Sequence, residues 1–317
     1  MQDSPPACPL LVGIDVGGTK THLRALAGGD LVADHVRASG GWRPHDPAAA
    51  AGWLAALVRD ALPAGARPAS LAVGAHACET PRQGAAIGAA VATLLDMPAR
   101  IVGDAELLVP AAGLDQGVGL VAGTGSVAVG RLPDGTAVQV GGWGAVLGDE
   151  GGAAGLVREA VRAVWAAHDR GERPEHLAVR LLDSLGVAEV PALGGALEGA
   201  SDLSAEWGRH APAVFAAAAD GSPLARTVIT EAGGALAALV SRLAARGVPV
   251  DDVVVAGGTV LAQPALYEAF TTALATALPG TRVRPLRVPP VRGAIALARG
   301  LVRTDTDAPA DAHGSPR

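Results

Sequence analysis

Hydrophobic and polar positions near the start of the chain change pattern across a pair of glycines. Residues 10–16 form a largely apolar run with β-branched members, which predicts a buried strand. Residues 21–26 and 31–38 alternate polar and apolar side chains, which predicts a second and a third strand. Gly17 and Gly18 are therefore expected at the tip of a β-hairpin inside a three-stranded meander.

The same pattern recurs at residues 117–140, which predict a strand, a Gly/Thr/Ser turn, an alternating strand, a Pro-Asp-Gly turn and a third strand. We interpret it as an internal structural repeat. The first glycine turn is not a P-loop, because Thr19 stands where that loop needs lysine. It is not a dinucleotide-binding loop either, because a strand follows where that fold needs a helix.

Helices and further strands are predicted around the two meanders. Helices begin at Asp46-Pro47, Thr80-Pro81 and Ser222-Pro223, where an N-cap residue precedes proline at the first helical position. Further predicted elements are strands at 69–75, 99–104 and 251–258 and helices at about 151–168, 263–278 and 290–303. The stretch from about 171 to 221 has too little periodicity to assign.

Two meanders, each followed by helices and strands, predict an α/β fold of two related domains that face each other across a cleft. We place an N-terminal domain at 1–112, completed by the helix at 290–303, and a C-terminal domain at 113–289. Residues 304–317 are polar and proline-containing, which predicts a disordered tail.

Composition narrows the class of protein. The chain has 317 residues, half of them hydrophobic (50%), so it can form sizeable cores. Its net charge of −6 and the absence of a Lys/Arg block argue against a nucleic-acid partner. The two cysteines, Cys8 and Cys78, have no metal-type spacing and indicate thiols in a reducing compartment. The N-terminus has no signal-peptide pattern and no membrane span, so we expect a cytoplasmic protein.

The two glycine turns are candidate phosphate sites. They comprise Gly17, Gly18, Thr19 and Lys20 in the first copy and Gly123, Thr124, Gly125 and Ser126 in the second. Backbone N–H groups and hydroxyls in such turns bind phosphate oxygens, and a polyphosphate needs donors on both sides. Two turns in repeated units therefore favour a polyphosphate ligand over two plain hairpins. Lys20 is the only lysine of the chain.

Two aspartates are candidates for chemistry. Asp15 lies in an apolar strand, where a carboxylate is costly unless it is hydrogen-bonded or faces a metal or solvent. Magnesium takes one or two carboxylates beside phosphates, which fits Asp15, although a structural aspartate is the alternative. Asp104 ends a predicted strand at the edge where α/β proteins bind ligands. It can serve as the base in phosphoryl transfer or as the N-cap of the next helix.

Two further glycine-containing segments indicate ligand contact. Residues 141–152 place glycines around Trp143 and around the pair Asp149 and Glu150, which begins a helix. The helix dipole explains the acidic pair, but the surrounding glycines indicate a ligand close to the backbone. The double glycine at 257–258 joins a strand to a helix and suits an adenine or ribose, or simply tight packing.

Together these motifs resemble, in order and spacing, those of the N-acetylglucosamine kinases and the wider BadF/BadG/BcrA/BcrD ATPase family. That family belongs to the actin, sugar-kinase and Hsp70 superfamily, whose domains are ribonuclease-H-like. The motifs read GIDVGGTKT, GDAELL, LVAGTGSVAVGRLPDG, GGWGAVLGDEGGAAGLVREAV and VVVAGGTVLAQPALYEAF. The resemblance covers roughly residues 10–298 and implies a two-domain kinase that binds ATP and Mg²⁺ in its cleft.

The resemblance also implies residue roles. Asp15 would organise magnesium, directly or through water, and Asp104 would take the proton from the sugar hydroxyl. The remaining implied contacts are Trp143, Gly144 and Asp149 in the sugar pocket and Gly257 and Gly258 at the adenosine. The family usually has an asparagine in the loop after the third strand, where this chain has Ser39-Gly40-Gly41-Trp42.

A second family asparagine, after the second turn, is Val127 here. The loop with Gly41 and Trp42 is still a candidate part of the sugar pocket, but the missing amides leave the identity of the sugar open. We expect an ATP-dependent amino-sugar kinase acting on the 6-hydroxyl of N-acetylglucosamine or glucosamine. Its partners would be a small-molecule sugar and ATP, with a homodimer as a candidate assembly.

Two alternatives stay open. One is the ATPase that activates a 2-hydroxyacyl-CoA dehydratase, which holds an iron–sulfur cluster between subunits through cysteines. The other is a degenerate, non-catalytic protein that binds sugar or ATP.

Overall fold

The computed structural model describes residues 8–78, 80–198 and 202–306, with side chains described to residue 302. The predicted tail at 304–317 lies outside the described residues from 307 onward, and residues 304–306 end the last helix. The chain divides into unit 1, Met1–Asp115 with Arg287–Arg317, and unit 2, Gln116–Leu286. The sequence had placed the domain boundaries after residues 112 and 289.

Unit 1 contains a five-stranded sheet with the order β3-β2-β1-β4-β5. Its strands are β1 (Leu10–Val16), β2 (Lys20–Ala27), β3 (Asp30–Ala38), β4 (Ser70–Ala75) and β5 (Ala99–Gly103). The helices are α1 (Pro47–Ala61), α2 (Pro81–Leu95), α3 (Leu108–Ala111) and α12 (Val291–Thr306), where labels follow chain order. The first three strands are antiparallel, which confirms the predicted meander, and β4 and β5 run parallel to β1.

Helix α12 completes unit 1 from the far end of the chain. Ser70 on β4 donates a hydrogen bond of 2.8 Å to the carbonyl oxygen of Ala298. A Cβ on Gly13 of β1 would lie 2.8 Å from the backbone nitrogen of Ile295, so the strand and the helix approach closely. The helix predicted at 290–303 therefore lies against the sheet of the N-terminal unit.

Unit 2 repeats the arrangement in a sheet with the order β10-β9-β6-β7-β8. Its strands are β6 (Val118–Ala122), β7 (Ser126–Arg131), β8 (Ala137–Gly141), β9 (Asp252–Ala256) and β10 (Arg282–Pro285). The longer helices are α4 (Ala153–Asp169), α9 (Pro223–Ala245) and α11 (Pro264–Ala277), with the short α10 (Gly258–Ala262) after β9. Strands β6, β7 and β8 form the second antiparallel meander, which confirms the internal repeat.

The stretch that had no clear pattern is helical in the structure. It contains α5 (His176–Leu185), α6 (Leu193–Leu197), α7 (Leu203–Gly208) and α8 (Ala211–Ala219). Three of these four helices have fewer than ten residues, too few turns for a strong 3.6-residue period. Helices α5, α6 and α8 are held by burial, with Leu177, Leu181 and Val214 among their residues in the core of unit 2. Strand β10 was not predicted either, because a strand of four residues is too short to show alternation.

Helix α9 is the one described helix long and apolar enough to span a membrane. Half of its most apolar window is buried, however, and ten residues of the helix are buried within unit 2. A Cβ on Gly233 would lie 2.5 Å from the Cβ of Ala269, so α9 packs tightly on α11. Its apolar character is therefore explained by its place in the core.

The predicted helix starts are confirmed by their caps. The Asp46 carboxylate accepts hydrogen bonds from the backbone of Ala48 and Ala49, and Ser222 accepts one from Ala225. Thr80 accepts a hydrogen bond of 3.2 Å from the backbone nitrogen of Gln83. Each cap satisfies N–H groups that the first helical turn leaves unpaired.

Candidate functional site

The carboxyl edge of the unit 1 sheet brings two candidate positions and one further residue into one row. Strand β4 lies between β1 and β5, with Ala75 paired to Val16 on one side and to Gly103 on the other. The next residues along these parallel strands are therefore neighbours at the same edge. They are Gly17, His76 and Asp104.

The first glycine turn is fixed by hydrogen bonds at Gly17, while the rest of the turn is exposed to solvent. The backbone nitrogen of Gly17 donates to the carbonyl oxygen of Lys20 at 2.9 Å. The Ser39 hydroxyl, largely buried, donates to the carbonyl oxygen of Gly17 at 2.7 Å. Gly18, Thr19 and Lys20 are exposed. The turn can therefore approach a phosphate without a side chain in the way.

Asp15 and Asp104 are two poorly solvated carboxylates of unit 1. Burial, followed by the negative charge of Asp104, raises the pKa of Asp15 to about 7. Burial also raises the pKa of Asp104, against the opposing effects of His76 and the Ala105 backbone N–H. No donor among the described residues bonds to the Asp15 carboxylate, so the alternative of a hydrogen-bonded structural aspartate is not what the structure shows.

The structure also excludes Asp104 as the N-cap of the element that follows β5. Asp104 is the first residue of a short 3₁₀ turn, Asp104–Leu107, and Gly103 is the N-cap. One oxygen of the Asp104 carboxylate accepts a hydrogen bond of 2.8 Å from the Ala105 nitrogen. The other carboxylate oxygen has no hydrogen bond to the described part of the chain, so it can accept a proton from a bound molecule.

The two carboxylates fit magnesium only in combination with a phosphate. Within the described ranges, no group of three or more His, Cys, Asp or Glu side chains could hold a metal by itself. Magnesium keeps several waters and usually takes one or two carboxylates beside phosphate oxygens. Asp15 suits this role, since a cation would offset the charge that burial leaves unfavourable.

A pocket of about 550 Å³ lies within unit 1 beside the first turn. It is lined by Gly17, Gly18, Ser39, Trp42, Arg43, Pro44, His45, Asp46, His76 and Ala77. The Trp42 indole donates to the carbonyl oxygen of His76 at 3.0 Å. Gly41 has a φ of +95°, and a Cβ there would lie 3.1 Å from the Trp53 ring. Trp42 therefore lines the pocket, while Gly41 shapes the loop that carries it.

The second glycine turn, in unit 2, is held by two other elements. The carbonyl oxygen of Gly123 accepts hydrogen bonds from the Ala153 nitrogen at 2.8 Å and the Thr259 hydroxyl at 2.7 Å. The carbonyl oxygen of Thr124 accepts one from the Ala154 nitrogen at 3.0 Å. The start of α4 and the residue after the double glycine therefore fix this turn, and Thr124 is left exposed.

Ser126 and Asp149 support the second turn from inside unit 2. The Ser126 hydroxyl donates to the carbonyl oxygen of Glu150 at 2.7 Å, and its backbone nitrogen donates to Asp149 at 3.3 Å. Both donors of Ser126 are thus used within the unit. Asp149 is buried, and a Cβ on Gly125 would lie 2.6 Å from its carboxylate. Burial raises the pKa of Asp149, while N–H groups of Ser126 and Gly144 lower it.

The loop that carries Trp143 and Gly144 projects from unit 2. Trp143 is 72% exposed and Gly144 has a φ of +83°. Arg158 on α4 holds the loop by donating to the carbonyl oxygens of Ala145 and of Gly148, the latter at 2.7 Å. Trp143 is therefore exposed on a loop that Arg158 fixes in place. Asp149, in the same segment, instead contacts the second turn.

The double glycine lies next to the second turn. Gly257 has a φ of +115°, and a Cβ there would overlap the backbone of Ala122. A Cβ on Gly123 would lie 3.9 Å from the Cα of Gly257, whereas nothing lies within 4 Å of a Cβ on Gly258. Tight packing explains Gly257. Gly258 faces open space, which leaves room for a ligand.

Sequence reasoning missed His76, Ser39, Arg158 and Thr259. Ser39 and Arg158 act through hydrogen bonds to distant carbonyl groups, which no local pattern reveals. Thr259 could have been found as the hydroxyl that follows the double glycine. His76 could have been found as the first polar residue after a buried strand.

The match to a family model shows which protein family the chain belongs to. The model of the BadF/BadG/BcrA/BcrD ATPase family matches residues 12–297. The chain belongs to this family. A curated relative, the N-acetylmuramic acid/N-acetylglucosamine kinase of Clostridium acetobutylicum, is 37% identical over 76 residues. The matching segment is 23% of this chain and about a quarter (24%) of that protein.

Solved structures establish the fold. A candidate N-acetylglucosamine kinase of Chromobacterium violaceum superposes with a TM-score of 0.69 at 24% identity, covering 92% of this chain and 99% of that one. A ROK family glucokinase of Streptomyces griseus, in complex with glucose and AMPPNP, gives a TM-score of 0.54 at 16% identity, over 93% and 99%. The predicted fold class, α/β of the actin and sugar-kinase type, is confirmed.

Proposed function

We propose that this member of the BadF/BadG/BcrA/BcrD family is an ATP-dependent sugar kinase with an amino sugar as acceptor. The observation that carries the proposal is the row of Gly17, His76 and Asp104 at one sheet edge, with Asp15 close to Asp104. A phosphate-binding turn, a candidate magnesium carboxylate and a base for an acceptor hydroxyl are thereby collected in one unit. The names of the curated relative and of the solved structures support the same class.

In unit 1 the open turn would bind phosphate oxygens through Gly18, Thr19 and Lys20, with Gly17 shaping the turn. Asp104 would orient the acceptor hydroxyl and take its proton. Magnesium, held by Asp15 directly or through water, would neutralise phosphate charge when it is bound.

In unit 2 we assign Gly123, Thr124 and Gly125 to phosphate and Gly257 and Gly258 to adenosine. Ser126 and Asp149 would act by holding the second turn in shape. Trp143 and Gly144 stay assigned to the sugar, because their loop is exposed and is fixed by Arg158.

For the acceptor we propose N-acetylglucosamine or glucosamine, phosphorylated on the 6-hydroxyl. The pocket of unit 1, with Trp42 and the loop shaped by Gly41, would contribute to the sugar site. Because Gly41 and Val127 lack the amides of the family, recognition of the sugar must use other groups, and the sugar has to be identified by assay.

The dehydratase-activator alternative is disfavoured by the cysteines. Cys78 is buried inside unit 1, where it is not accessible as a ligand of a cluster shared between subunits. A cytoplasmic location and a homodimer stay predictions.

The test is an ADP-release assay on wild type with glucosamine, N-acetylglucosamine, N-acetylmannosamine, N-acetylmuramic acid and glucose. We expect stimulation by an amino sugar. Asp104→Asn should lower this turnover by about 10²- to 10⁴-fold while ATP still binds, because only the proton acceptor is lost. Asp115→Asn, an exposed carboxylate of the same unit, is the matched control. No sugar-stimulated turnover would refute the kinase, and near-normal turnover of Asp104→Asn would remove Asp104 from its role.

A further inference from the structure

His76 occupies a place in unit 1 that the chain defines closely. Its backbone nitrogen donates to the carbonyl oxygen of Val16 at 2.7 Å, and its carbonyl oxygen accepts from the Trp42 indole at 3.0 Å. The next residue, Ala77, has a φ of +59°, a conformation uncommon outside glycine, asparagine and aspartate. The backbone of His76 is therefore anchored on both sides, and its position follows from the sheet.

The imidazole of His76 points at the site and has no partner there. The side chain is exposed and lines the 550 Å³ pocket. A Cβ on Gly18 would lie 3.8 Å from its Cδ2 and 3.9 Å from its Nε2, so the ring is in contact range of the first turn. Neither ring nitrogen forms a hydrogen bond with another described residue. On its other side, His76 is close enough to Asp104 to lower the pKa of that carboxyl.

The order of the row defines what His76 can contact during the proposed reaction. If the first turn binds the terminal phosphates and Asp104 holds the acceptor hydroxyl, the transferred phosphoryl group passes between them. His76 lies between these two positions, because β4 lies between β1 and β5. Asp15, Arg43, His45 and Asp46 are the other charged or titratable groups around it, and none of them lies in this row.

We propose that Nε2 of His76 donates a hydrogen bond to an oxygen of the transferred phosphoryl group, which rests on the proposed kinase function. In the reaction the bond from phosphorus to the ADP oxygen breaks and a bond to the acceptor oxygen forms. The hydroxyl proton goes to Asp104. His76 keeps its own proton and supplies only a hydrogen bond, which positions and stabilises the phosphoryl group while it is transferred.

The experiment uses the full chain with His76→Ala and His76→Gln. His35→Ala is the matched control, because His35 is an exposed histidine on β3 of the same unit. We expect His76→Ala to lower kcat by about 10- to 100-fold and to weaken AMPPNP binding by about tenfold or more, the usual effect of losing a hydrogen bond to a charged group. ADP, which lacks the γ-phosphate, should bind as it does to wild type. Glutamine, whose amide can still donate, should restore part of the loss.

Two outcomes would overturn the proposal. One is wild-type turnover in His76→Ala, and the other is an equal loss of AMPPNP and ADP binding, which would indicate a general change of the pocket. A wild type that releases no ADP with any sugar would refute the kinase function separately. In that case the ratio of AMPPNP to ADP affinity in His76→Ala still decides whether His76 contacts the γ-phosphate.

Discussion

Replacing Asp15 by asparagine should stabilise the ligand-free protein while it removes activity. Asparagine has nearly the shape of aspartate but carries no charge, so it relieves both the desolvation of the carboxylate and its repulsion by Asp104. The pKa of Asp15 is raised from 3.8 to about 7. At 1.36 kcal/mol per pH unit, the charged carboxylate costs the folded state at most about 4 kcal/mol.

The stability difference between Asp15→Asn and wild type changes with pH in a definite direction. Because folding raises the pKa of Asp15, the folded protein binds more protons than the unfolded chain between pH 3.8 and about 7. The free energy of unfolding of wild type therefore falls as the pH rises through this range. Asp15→Asn lacks this contribution, so its advantage over wild type should be near zero at low pH and largest above about pH 7.

Thermal unfolding in the presence of a chelator measures the difference. Above about pH 7 we expect a midpoint higher by up to about 10 °C in Asp15→Asn, with sugar-dependent ADP release lost. Asp30→Asn, an exposed aspartate at the start of β3, should change neither quantity. Equal midpoints for Asp15→Asn and wild type at both ends of the pH range would refute the inference that the Asp15 charge destabilises the fold.

Three further predictions concern unit 2. Gly257→Ala should lower the free energy of unfolding by about 1–3 kcal/mol, because an added Cβ overlaps the backbone of β6 and φ is +115°. Gly258→Ala, whose Cβ meets nothing within 4 Å, should unfold like wild type, and urea titration of both variants makes the comparison. Arg158→Met should raise the KM for the sugar by about tenfold or more through loss of two hydrogen bonds to the Trp143 loop, with Arg162→Met, 68% exposed, as the control. Equal KM values for Arg158→Met and Arg162→Met would contradict that role. Burial and the charge of Arg209 lower the pKa of His210, so its contribution to stability is complete above about pH 6.5 and is lost as the pH falls below it. Urea unfolding of His210→Gln should remove this part of the pH dependence, and an unchanged dependence would argue against it.

Local pattern was sufficient for most of the secondary structure. The alternation in β2, the apolar run of β1 and the Asp-Pro and Ser-Pro helix starts depend on neighbours in sequence, and the structure confirms them. The repeat of the meander could be recognised for the same reason. Helices α5–α8 and strand β10 could not, because these elements are short and hold their conformation through contacts with distant residues.

The candidate site likewise contains features that local sequence predicts and features that only the tertiary structure shows. The two glycine turns, Asp15 and Asp104 could be singled out in the sequence, since glycine clusters and carboxylates at strand ends are local signals. Only the strand order in unit 1 places His76 between the first turn and Asp104, because the three positions are far apart in the sequence.

In unit 2 the sequence assigned Ser126 to phosphate and Asp149 to sugar. The folded chain turns both toward each other, 23 positions apart, because the start of α4 packs on the second turn. The sequence by itself therefore determined which segments become strands, turns and helices. Which polar groups meet, and which carboxylates lose their water, was decided by the tertiary structure, because pairing and desolvation depend on packing between segments far apart in the chain.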